Sequence, residues 1–146
     1  MTDLEQAKQL FHSDGATFVL IKDGCELARG TRDGIGELLA AVETLGAATR
    51  GASLADKIVG KAVALVAAYA NIRAVYSSLA SEAAQRALAQ RQIELTAARI
   101  VPLILNKRND GPCPLERLTL PLDEPQDALR ALKEFVRGKD GNTKTD

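Results

Sequence analysis

The stretch Ala52–Tyr69, ASLADKIVGKAVALVAAY, decides how the chain is read. It is apolar on nearly every side, and after Asp56 its only charges are Lys57 and Lys61. A helix apolar all round is buried in a domain core or in a membrane. Two lysines and a glycine leave this run short of the ~20 apolar residues that a membrane span requires. The reading is therefore a buried central helix in a soluble domain, entered from a short strand at Ala52–Ala55 and capped by Asp56. Its polar beginning, Asp56-Lys57-x-x-Gly60-Lys61, is the first candidate for a site. On one helix, Lys57 and Lys61 would stand four residues apart on the same face. Beside a positive helix end they would suit a phosphate or carboxylate. The bland alternative is a cap, a glycine that admits a neighbouring strand, and two lysines snorkelling to the surface. It is not a phosphate-binding Walker loop, because Ala55 stands at the first glycine position and Ala62 follows Lys61.

Composition narrows the classes. A chain of 146 residues suits one domain with its own core. Nineteen basic and nineteen acidic residues cancel, so nucleic acid and anionic membrane are not expected partners. Two Tyr, three Phe and no Trp offer little for stacking bases. Cys25 and Cys113 are too few for a disulfide framework, and a single histidine, His12, argues against histidine zinc ligation. The charged start, MTDLEQAKQLF, is not a signal peptide, and a cytoplasmic location is expected.

Outward from the central stretch, each side has its own punctuation. Upstream, Asp3–His12 has helical periodicity. Asp23-Gly24 between Thr17–Lys22 and Cys25–Gly30 is a hairpin signal of type I′, with Cys25 expected in the core. A helix follows over Ile35–Leu45 and ends at Gly46. Downstream, Asn71 closes the central helix, Ile72–Ser77 reads as a strand, and Ser78 or Ser81 caps an alanine-rich helix at Ser81–Gln92. Ile93–Val101 is the next strand, Asn106–Gly111 a polar loop, and Pro114 the first position of a short helix. The last helix runs Glu124–Arg137 behind an Asp123 cap. Residues 138–146 carry no apolar side chain and are expected to be disordered. Residues 1–137 form the one domain. Strands alternating with helices imply parallel pairing, with the hairpin as an antiparallel edge. The fold class is α/β, a three-layer α/β/α sandwich with a mixed sheet.

This order resembles the cytidine-deaminase-like fold. Three pieces, ADKIVGKAVAL (Ala55–Leu65), AVYSSLASEAA (Ala74–Ala84) and VPLILNKRNDGPCPLE (Val101–Glu116), are similar to an uncharacterised prokaryotic family, a domain of unknown function. The resemblance spans Thr17–Val136 and implies a fold without an established activity. It departs from deaminases where their zinc is held. Those enzymes use His-Ala-Glu or Cys-Ala-Glu, then Pro-Cys-x-x-Cys. Here Val59-Gly60-Lys61 and Leu79-Ala80-Ser81-Glu82 stand in those places. Pro112-Cys113-Pro114 follows a later strand and lacks a second cysteine, so no metal and no cofactor are expected.

Three readings follow. The first is a zinc-free domain that binds a small anionic ligand such as a nucleotide. In it Lys57 and Lys61 hold charge, Asp56 orients them, and Ser77 or Ser78 donates hydrogen bonds at the carboxyl edge of the sheet. Gly60 would let the ligand or a strand approach, and Asn106, beside Lys107-Arg108, and Cys113 would line the pocket. The second is an enzyme using Cys113 or a lysine as nucleophile; a helix start lowers a thiol pKa, yet His12 is far along the chain as a base. The third is an oligomeric interaction module, a homo-oligomer packing through Ser81–Gln92.

Overall fold

The computed structural model describes the backbone of residues 1–145 and the side chains of residues 1–138. Its order is α1 (Asp3–Asp14), β1 (Phe18–Lys22), β2 (Cys25–Gly30), α2 (Gly36–Leu45), a 3-10 turn (Gly46–Thr49), β3 (Ser53–Val59), α3 (Lys61–Tyr69), β4 (Ala74–Ser81), α4 (Glu82–Gln90), β5 (Glu94–Ala97), β6 (Ile100–Val101), α5 (Pro114–Thr119) and α6 (Pro125–Thr145). The backbone of 138–145, expected to be disordered, continues α6; the side chains of 139–146 and all of residue 146 lie outside the described residues.

The mixed sheet has the order β2-β1-β3-β4-β5, with β6 also beside β4. Strand β1 is antiparallel to β2 and β3, whereas β3, β4 and β5 run parallel. Asp23 and Gly24 both take positive φ, 51° and 78°, as a type I′ turn requires. Asp3 fixes that turn to α1 by accepting from the backbone N–H groups of Asp23 and Gly24 at 2.8 and 2.9 Å. Alternation along the strands feeds two cores. Val19, Ile21, Ala55 and Tyr76 meet Ala7 and Phe11 of α1. Leu20, Leu54 and Val75 join a larger core built with α2, α3, α4 and α6.

The expected short strand at Ala52–Ala55 is present but runs four residues further, to Val59, and the helix starts correspondingly later. Ser53–Val59 is the central strand β3, and α3 begins only at Lys61. Ser53, Leu54 and Ala55 are all buried, because a strand inside the sheet is covered on both faces. Such a run has the same all-apolar signature as a buried helix. Asp56 is therefore a strand residue and caps nothing; Gly60 is the N-cap, in extended conformation and with no side chain to cap with. Lys57 and Lys61 belong to different elements and share no helical face.

Four further placements follow from the same geometry. Strand β4 continues through Ser77 and Ser78 to Ser81, so those serines lie inside it and not at its end. Ser81 caps α4, its hydroxyl accepting from the Ala84 N–H at 3.1 Å. The alanine positions of α4, Ala83, Ala84 and Ala87, are buried within this chain. Cys25 is exposed at the start of β2 and is no part of the core.

Candidate functional site

Two groups of sequence-selected residues come together in space, and two residues stand apart. The first group lies midway along β3 and β4, at the start of their carboxyl halves, where Asp56 and Ser77 are register partners. Here the simple alternation of both strands fails. In β4, Ser77 and Ala80 are both fully buried three positions apart, with Ser78 and Leu79 half-buried between them. Ser77 absorbs the irregularity locally: its hydroxyl donates to Leu79 O at 2.7 Å and accepts from Leu79 N–H at 3.2 Å. It also lies 3.4 Å from Lys57 O, which ties the two strands. In β3 the matching segment turns polar: Asp56 is half-buried, Lys57 and Ile58 are exposed, and Val59 is buried again.

Asp56 is the electrostatically distinct member. Desolvation by the surrounding protein raises its carboxyl to about 8, against the opposing pull of the Ile58 and Lys57 backbone N–H groups. At neutral pH it is a carboxylic acid, able to donate a hydrogen bond as well as accept one. Lys57 projects outward with a side chain 58% exposed, and its ion pair with Asp33 is loose at 3.8 Å. An exposed pair of that length contributes little, so the ammonium keeps most of its donors for other partners.

The second group surrounds the start of α3, and it is closed. Glu116 of α5 is only 1% exposed, and its carboxylate accepts from the Lys61 N–H at 2.8 Å and from the Ile104 N–H at 3.4 Å. The protein thus supplies its own carboxylate to the positive end of α3. Gly60 is glycine for this reason: a Cβ there would stand 2.8 Å from Glu116 Oε1. Lys61 does not face outward. Its ammonium donates to Leu120 O at 2.8 Å, lies 3.4 Å from Asp123, and fastens the link between α5 and α6. Glu116 and its partner Lys61 are 55 positions apart, and the sequence signal that points to their contact is the glycine at position 60.

Asn106 and Cys113 stand apart from the first group. Asn106 closes its own loop, donating to Asp110 at 2.8 Å and accepting from the Asp110 N–H. Cys113, half-buried, precedes α5 and donates its N–H to Ile104 O at 2.9 Å. His12 lies 3.1 Å from the Tyr76 hydroxyl. Among the described residues, no group of three His, Cys, Asp or Glu side chains is placed to hold a metal ion. Nor is any helix among them long and apolar enough to cross a membrane.

Residues 6–136 match the family described as TM1506, a domain of unknown function (DUF1893). The chain belongs to this family. No curated protein matches it. A solved structure of a DUF1893 protein, TM1506 from Thermotoga maritima, superposes with a TM-score of 0.83 at 19% identity, over 92% of this chain and 90% of that one. At that identity the likeness establishes a shared fold, and the family description carries no activity.

Proposed function

We propose that this DUF1893 domain binds a small anionic ligand, such as a nucleotide, at Asp56, Lys57 and Ser78, in a cytidine-deaminase-like α/β/α sandwich that uses no zinc. The observation that carries the reading is the shared break in β3 and β4 at Lys57 and Ser78, where the pairing skips from Asp56↔Ser77 to Ile58↔Leu79. The break stands next to a protonated carboxyl, with a loosely paired ammonium on one strand and a half-buried hydroxyl on the other. Ligands of open α/β sheets commonly bind outside the carboxyl ends of the strands; this group lies midway along β3 and β4, so the reading rests on the break itself and not on that rule. Lys57 supplies the charge, the Asp56 carboxyl donates to a ligand oxygen, and Ser78 adds a hydroxyl. Gly60, Lys61 and Ser77 support these residues and do not meet the ligand, because their polar groups already have protein partners. The architectural part of the proposal draws on the hairpin followed by three parallel strands joined through helices, with α1 and α3 packed into separate cores.

The test is a thermal titration with inorganic phosphate and with a nucleoside monophosphate. The melting temperature should rise with concentration in the wild type and in Lys61→Met, relative to each protein's own ligand-free value. Lys57→Met should show a clearly smaller rise. Absence of any rise at millimolar ligand, or an undiminished rise in Lys57→Met, would remove the proposal.

A further inference from the structure

At the other end of the molecule, the ends of α2 and α3 and one side of α6 enclose an open cavity of about 430 Å³. Its polar lining comes from Glu43, Thr49, Arg50, Tyr69, Asn71 and Lys133. We propose that this cavity is a second binding site, taking a small organic anion, a phosphate or carboxylate attached to a flat ring, with Arg50 holding the anion and Tyr69 the ring.

The argument begins with helix ends. Cations commonly gather at helix C-termini because the last carbonyls lack intrahelical partners. Here those of α3 are already occupied. Thr49 Oγ1 donates to Ala70 O at 2.9 Å, and the backbone N–H groups of Asn71 and Ile72 donate to Ala68 O and Ala67 O at 3.2 and 3.0 Å. Asn71 O itself accepts from Gly51 N–H at 2.9 Å. The Arg50 guanidinium has no ion pair and no hydrogen bond among the described residues, so its forked donors are left over at the rim. Lys133 is matched with Glu43 at 3.4 Å, which neutralises one cation of the lining and leaves the charge of Arg50 uncompensated. Tyr69 adds a ring that is 44% exposed and has no aromatic partner among the described residues. The volume falls within the range of small-molecule sites, and the lining pairs an anion fork with a flat apolar surface.

Isothermal titration of the whole chain carrying Lys57→Met, which removes the β3 site, with phenyl phosphate and with inorganic phosphate tests this site. Phenyl phosphate should bind one to one and more tightly than inorganic phosphate. Arg50→Gln should weaken both by at least about tenfold, as loss of a charge-assisted contact implies, without moving the melting temperature. Tyr69→Ala should reduce phenyl phosphate to the affinity of inorganic phosphate. The Lys57→Met background keeps the β3 site out of these titrations, so failure here and failure of the proposed function are distinguishable. No saturable binding in that background, or unchanged affinity on adding Arg50→Gln, would overturn the proposal.

Discussion

Asp56 carries the clearest chemical signature in the chain, and its protonation couples to stability. The ordinary carboxyl value is 3.8 and the folded value about 8. Between those limits the folded protein keeps a proton that the unfolded chain has lost. The stabilisation is complete below about 3.8 and declines as pH rises through the window toward 8. The slope of unfolding free energy from this one group reaches at most about 1.4 kcal/mol per pH unit. Asp56→Asn removes the titration, so its stability relative to wild type should be higher at pH 8 than at pH 4.5. Parallel chemical denaturation series at the two pH values check this; equal differences would mean that Asp56 ionises normally. At Gly60 the expected effect is steric. An added methyl group meets a carboxylate that is buried and held by two backbone N–H groups. Gly60→Ala should therefore lose ~1–3 kcal/mol in thermal unfolding, as overpacked sites do, even though alanine is the better helix former.

Among the elements, the link between α3 and the α5–α6 segment depends on Glu116 and Lys61. Lys61 is nearly covered, its side chain 12% exposed, and its ammonium donates to the Leu120 carbonyl. Lys61→Met should cost ~1.5–3 kcal/mol with no ligand present, the range for hydrogen bonds to charged groups, and denaturant unfolding measures it directly. Lys57→Met, on an exposed and loosely paired lysine, should stay within ~0.5 kcal/mol of wild type. The same elements show what sequence can and cannot disclose. Asp23-Gly24, Gly46, Ser81 and Pro114 punctuate the chain through local backbone chemistry, and each marks a boundary found in the structure to within a residue or two. Within Ala52–Tyr69 a strand followed by a helix is legible, but the boundary between them is not, because a strand buried on both faces and a buried helix are equally apolar and periodicity cannot separate them. The site suffered in consequence. Asp56 and Lys57 were selected as parts of a helix end, yet they share a strand with no capping role. Glu116 was beyond reach because its partners are set by tertiary packing. The strand irregularity at Ser77 escaped because two adjacent serines look like a strand end.

For the whole molecule, the two ends of the sheet have different electrostatic characters. Toward the carboxyl side the start of α3 already holds an internal carboxylate, and Lys57 is the cation of the proposed site in β3. At the opposite end Arg50 has no ion pair among the described residues and stands beside an open cavity. A protein with balanced total charge can thus present two separate cationic points. Saturating the β3 site should stabilise the fold by about 2.7 kcal/mol at a hundred times the dissociation constant, if the ligand does not bind the unfolded chain. The most direct test of that site is a phosphate titration followed by amide chemical shifts of the labelled protein. The amides of Asp56, Lys57 and Ser78 should move together along one saturable curve, while those of Lys61 and Ala62 stay still behind Glu116. Shifts centred on Lys61 and Ala62, or no saturable shift at Asp56 and Lys57, would contradict the account.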